Sequence, residues 1–178
     1  MLDDNEDFDD VRYYHGTSKP LKVGSIIKAK PWKTEFSDRK SVDGIGFEDF
    51  IESLRPTNKP SRVKCIYSVD NIDDLNKAGA SEDYIYEVDP MGKVHKANFG
   101  WLSELLGVIY DEEKLENNKK AIRFVMNYWK GVPYMLKDTS NVWEYLSDGI
   151  VVFEQVNKPK KQLKKQLQPK LIFRNKKK

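Results

Sequence analysis

Cysteine is nearly absent from this chain of 178 residues, where Cys65 stands alone. One thiol excludes an intramolecular disulfide and every zinc site that needs two or more cysteines. Histidine is almost as scarce, with His15 and His95 only, so a metal centre has few ligands to draw on. No stretch approaches the ~18 apolar residues of a membrane span. The opening residues MLDDNEDFDD have neither the basic start nor the apolar centre of a signal peptide. The expectation is a cytoplasmic protein that touches no membrane. No glycine-rich phosphate loop follows a strand-like run, so P-loop and Rossmann dinucleotide folds have no support. Internal repeats and heptads are absent as well.

What is present suits one folded domain. Hydrophobic residues make up 39% and aromatics 12%, enough for a core. Charge is unevenly spread. Residues 157–178 hold nine lysines, one arginine and no acid, so the rest of the chain carries −7 of the net +3. Six acids fall in the first ten residues. The division expected is an acidic leader over 1–10, a domain over 11–156 and a flexible basic tail over 157–178.

Within the domain, Val11 to Tyr14 reads as a short strand ended by His15-Gly16-Thr17-Ser18, and Val23 to Ile27 as a second apolar segment. Residues 30–46 read as a polar loop. Phe47, Phe50, Ile51 and Leu54 have the spacing of a short amphipathic helix, which Arg55-Pro56 ends. Val63 to Val69 reads as a strand, with Cys65 a buried structural thiol within it. Asn71 to Ala78 reads as a short helix capped by Asp70 or Asn71. Tyr84 to Val88 and Lys93 to Ala97 read as strands joined by the turn Asp89-Pro90-Met91-Gly92. His95 is expected on the surface of the second of them. Helices are expected over 101–110 and 112–130, with Gly131-Val132-Pro133 as the break. Gly149 to Phe153 reads as the last strand. This order favours a segregated antiparallel α+β fold over a doubly wound one.

Three segments carry residues suited to chemistry. In the first, His15 leaves a strand into a Gly-Thr-Ser turn. Gly16 admits close approach to the backbone, and Thr17 and Ser18 offer hydroxyls and amides. A surface histidine in a turn is the plain alternative. In the second, Arg62 precedes an apolar strand, where a guanidinium meets phosphate or carboxylate with two parallel bonds, and Tyr67 or Ser68 lines a pocket. The alternatives are a surface salt bridge for Arg62 and core packing for Tyr67. In the third, Glu144 lies between Trp143 and Tyr145, whose rings partly desolvate it and raise its pKa. An ordinary exposed glutamate is the alternative.

Taken together and in chain order, these segments resemble the ADP-ribosyltransferase superfamily. The SLRP, KPSR and CIYSVD runs over 53–70 and the later YIYEVDP look like those of small bacterial and bacteriophage members, and the likeness spans about residues 11–156. It implies split antiparallel β-sheets with flanking helices. It implies NAD as a substrate, no metal, and mono-ADP-ribosyl transfer to a macromolecular acceptor, either a host protein or RNA or DNA. Under the resemblance His15 bonds the adenosine ribose and Gly16 the nicotinamide amide, with Tyr14 and Thr17 in the same binding segment. Tyr67 and Ser68 pack around the nicotinamide-ribose end, Arg62 contacts the diphosphate, and Glu144 is the catalytic acid. Cleaving the nicotinamide–ribose bond passes through an oxocarbenium-like state that a fixed carboxylate stabilises. Val142 stands where arginine-modifying members keep a second acid, which argues against arginine as acceptor. Two other readings stand beside this one: NAD-dependent removal of an RNA 2′-phosphate, and a non-catalytic module whose tail, Lys158 to Lys178, attracts nucleic acid or protein.

Overall fold

The computed structural model describes residues 11–34, 36–135 and 141–157. The acidic leader and the basic tail from Lys158 onward, both singled out in the sequence, lie outside the described residues. The chain is a mixed α+β structure. Its strands are β1 (Tyr13–Thr17), β2 (Ile26–Lys28), β3 (Ile66–Val69), β4 (Tyr84–Asn98) and β5 (Trp143–Val156). Its helices are α1 (Phe47–Ser53), α2 (Gly100–Tyr110) and α3 (Lys119–Lys130), with 3-10 turns at Arg62–Lys64 and Ile72–Asp74. No helix among the described residues is long and apolar enough to cross a membrane.

All five strands belong to one antiparallel sheet in the order β2-β5-β3-β1-β4. The sequence reading expected split sheets. Here β4 also returns to pair with β5 from Ile85↔Val156 to Asn98↔Trp143. The length of β4 is the source of the difference. Asp89-Pro90-Met91-Gly92 does not turn the chain back. It lies inside a 15-residue strand whose register shifts between Glu87 and Val88 and again between Met91 and Val94. Gly92, at φ 76°, takes up the irregularity that a side chain tolerates poorly.

The helices cover one part of this sheet. Phe47 and Ile51 of α1, Leu102 and Leu105 of α2, and Phe124, Val125, Tyr128 and Trp129 of α3 pack with Leu146 of β5 in the main core. Helix α3 starts later than the apolar stripe suggested. Glu112 and Asn117 have φ of 57° and 56°, which a helix excludes. The helix begins where the Asn118 side chain accepts from the N–H groups of Lys120 and Ala121, an N-cap. It ends at Gly131 in the left-handed region, φ 67°. His95 is a second correction: it is 5% exposed, not a surface residue. Its ring stacks on Trp129 with centroids 5.8 Å apart. Its strand neighbour Val94 faces outward instead, so the alternation of β4 runs against residue polarity at this point.

Candidate functional site

The three segments singled out in the sequence meet side by side. Tyr14 of β1 pairs with Val69 of β3, and Val69 pairs with Glu144 of β5. Residues 14, 69 and 144 thus stand in one row across three strands. Beside that row opens a cleft of about 540 Å³, within the ~300–1,000 Å³ of small-ligand sites. His15, Gly16, Thr17 and Ser18 form one wall, and Arg62, Cys65, Tyr67 and Ser68 belong to another.

His15 is half-buried, and its Nδ1 lies 2.7 Å from the backbone carbonyl of Tyr67. A carbonyl only accepts, so Nδ1 carries the proton and donates, and Nε2 of the neutral ring is left as an acceptor. Burial pushes the imidazole below its ordinary pKa, although the bond to Tyr67 works the other way. This fixes the tautomer at the junction of β1 and β3. Ser68 is 1% exposed, and its Oγ has no hydrogen-bond partner among the described residues. An orphaned hydroxyl in a cleft wall is a group that a ligand can satisfy.

Gly16 is needed for a reason other than ligand approach. A Cβ placed on it meets the backbone oxygen of Ser81 at 2.2 Å. The 80–81 segment, itself part of the cleft wall, packs directly on this glycine. Tyr14 does not line the cleft. It packs against the small cluster of Val69, Leu75 and Ile85, on the other side of the strand from its neighbour His15.

Arg62 and Glu144 form a buried charge cluster. Arg62 is 3% exposed and Glu144 is 0% exposed. Arg62 Nη1 donates to Glu144 Oε1 at 2.5 Å and to Tyr128 Oη at 2.8 Å. Its Nε donates to Glu48 Oε2 at 3.0 Å. The Tyr128 hydroxyl donates a very short bond to the same Glu144 oxygen. Thr34 donates to Glu48 at 2.6 Å. The Arg62 backbone is held as well: its N–H donates to Glu52 Oε1 at 2.6 Å and its carbonyl accepts from Tyr67 Oη at 2.7 Å. Burial pushes the Glu144 carboxyl up, against the pull of the Arg62 guanidinium. Neither plain alternative from the sequence fits. Arg62 is not in a surface salt bridge, and Glu144 is not exposed. Arg62 borders the cleft, whereas Glu144 lies behind it and does not line the cleft. Glu144 Oε2 is buried without a hydrogen-bond partner among the described residues.

A further wall comes from the end of β2 and from the 30–46 stretch read as a loop. Lys28, Lys30, Trp32, Thr34 and Phe36 all line the cleft. Every second residue of this segment faces inward, the signature of extended chain. The period was open to view in the sequence, but polar residues at its alternate positions hid it. The partners of Arg62 left less trace: Glu48 sits on the buried side of α1 beside Phe47, and Tyr128 lies in the α3 stripe. Lys28, Lys30 and Arg62 bring positive charge to the lining, and among the described residues no aspartate or glutamate lines it. Trp32, Phe36 and Tyr67 supply rings, with Trp32 and Tyr67 edge to face at 5.4 Å. A cleft with cations, rings and hydroxyls suits a phosphate-bearing aromatic ligand. Compared with known families and with curated proteins, the chain matches no family model and no curated sequence.

Proposed function

We propose that this chain has the ADP-ribosyltransferase type of α+β fold, binds NAD in the cleft and transfers ADP-ribose to a macromolecular acceptor, protein or nucleic acid. The observation that carries the reading is the cleft itself. Its His15–Ser18 and Tyr67–Ser68 walls are joined by the His15–Tyr67 bond, and its described lining is cationic, aromatic and free of acid. NAD has the matching parts: a diphosphate, two rings and ribose hydroxyls. His15 Nε2, as an acceptor, suits a ribose hydroxyl, and the Ser68 hydroxyl has a bond to give.

On this reading the bond between nicotinamide and ribose C1′ breaks, and nicotinamide leaves with the electron pair. The sugar passes through an oxocarbenium-like state. A nucleophile on the acceptor attacks C1′ and releases its proton to solvent. Glu144 is the acid assigned to the developing positive charge. It stands behind Arg62, so Arg62 is the side chain that must shift before the carboxylate reaches the sugar.

The complete burial of Glu144 and the ion pairs of Arg62 with Glu48 and Glu144 favour a second reading, a domain that holds the nucleotide without turning it over. NAD labelled on its adenylate half, incubated with the full chain and a lysate, separates the two. Label passing to protein or nucleic acid, and lost in His15→Ala and Glu144→Gln, supports transfer. Saturable NAD binding without transfer supports the second reading. No binding of NAD at millimolar concentration overturns both.

A further inference from the structure

We propose that Lys28, Lys30 and Trp32 form a subsite for the phosphates and one flat ring of a nucleoside diphosphate. The inference rests on the nucleotide reading of the cleft and moves the diphosphate contact away from Arg62. Arg62 is the cation nearest the catalytic motifs, but its charge is taken up by Glu48 and Glu144 within the protein. Lys28 and Lys30 are both exposed, and neither has an ion-pair partner among the described residues. The positive charge open to a ligand therefore lies on these two lysines.

The geometry holds them in place. Positions 28, 30 and 32 are spaced by two on an extended segment, which sets their side chains on one face. Lys28 is the last residue of β2 and pairs with Gly149. The Ala29 N–H donates to the Asp148 carbonyl at 2.9 Å, and the Trp32 N–H to the Val63 carbonyl at 3.1 Å. The segment is thus tied on both sides of Lys30, and its ligand-facing side chains start from a fixed backbone. Trp32 is 44% exposed. That surface is available for a base or a pyridine ring to cover. Two ammonium groups face the negative charge of a diphosphate, and the cleft volume holds a ligand of nucleotide size rather than a polymer.

The test uses the full chain, with ADP and adenosine as probes read by calorimetry and by tryptophan emission. ADP is expected to change the emission. The double variant Lys28→Ala/Lys30→Ala is expected to bind ADP about tenfold more weakly and adenosine unchanged. Trp32→Leu is expected to weaken both probes and to abolish the emission change. Residues 157–178 also attract phosphate, so Lys160→Ala/Lys161→Ala serves as a control and should leave ADP affinity unaltered. Lys28 and Lys30 are surface groups, and unchanged melting temperatures verify that folding is intact in each variant. If the Lys28/Lys30 variant binds ADP and NAD as the wild type does, the subsite is wrong while the cleft reading stands. If Trp32→Leu leaves both affinities unchanged, the ring contact is wrong. If the wild type binds neither ADP nor NAD, the cleft reading fails and takes the subsite with it.

Discussion

Replacing Glu144 by alanine is expected to damage the fold as well as any activity. Arg62 is 3% exposed and has two carboxylate partners, Glu144 at 2.5 Å and Glu48 at 3.0 Å. The alanine variant removes the nearer carboxylate and the acceptor of the Tyr128 hydroxyl, and it leaves a space where no water was accessible. Breaking a buried pair from one side costs about 3–5 kcal/mol. A domain of this kind has about 5–15 kcal/mol in total, so the loss is a large share of it. Glu144→Gln behaves differently. It keeps the volume and an oxygen for Arg62 and Tyr128, and it imitates the protonated acid toward which burial already pushes Glu144. With glutamine present, Arg62 and Glu48 still form a neutral pair, and the expected loss is about 1 kcal/mol. Urea unfolding of the two variants against the wild type measures both values. If Glu144→Ala unfolds within about 1 kcal/mol of the wild type, the buried cluster does not hold the structure together. The same contrast makes glutamine, not alanine, the substitution for tests of transfer.

Three further outcomes follow from particular contacts. Gly16→Ala forces a Cβ onto the Ser81 carbonyl, so it should destabilise the chain by about 1–3 kcal/mol and weaken NAD binding by displacing the 80–81 wall; denaturation and titration check both, and a neutral result refutes the contact. Burial, helped by the Lys59 ammonium, pushes the His95 imidazole down to about 4. An unfolded chain takes up that proton near pH 6.5 while the folded one refuses it. Stability should therefore fall as pH drops from about 6.5 to about 4, by an amount on the order of 2 kcal/mol. His95→Gln should reduce the fall, leaving a contribution of the same sign from His15, and unfolding free energies flat across that window in the wild type would contradict the assignment. Cys65 is 3% exposed, its Sγ lies 3.2 Å from the Arg62 carbonyl, and burial pushes its thiol up to about 12. An aromatic disulfide reagent should therefore react with it only on unfolding; prompt reaction in the native state would show the thiol to be open.

Local signals were legible wherever the chain decides its own structure. The Phe47-Phe50-Ile51-Leu54 spacing gives α1, and Asn71 caps as expected, although the helix read over Asn71–Ala78 is only a 3-10 turn at Ile72–Asp74. The buried thiol of Cys65 followed from its apolar setting. Signals failed where distant segments decide. Asp89-Pro90-Met91-Gly92 has the composition of a turn, yet pairing with β5 on either side of it carries the strand through. His95 is polar and stands among lysines, but the stack on Trp129 draws it inward. Arg62 shows the limit most clearly. Its partners Glu48, Tyr128 and Glu144 lie 14, 66 and 82 residues away, and no local pattern links them. The His15, Tyr67 and Glu144 segments stand side by side in the row Tyr14–Val69–Glu144, but Glu144 does not reach the cleft lined by His15 and Tyr67. The depth of Glu144 behind Arg62 was not foreseen, because burial at a strand start depends on what packs over it.

The most direct test of the account is a crystal structure of the full chain grown with saturating NAD. The account predicts the dinucleotide in the cleft, with a ribose hydroxyl on His15 Nε2 and the diphosphate toward Lys28 and Lys30. NAD bound away from His15 and Tyr67, or an empty cleft at saturation, would contradict it.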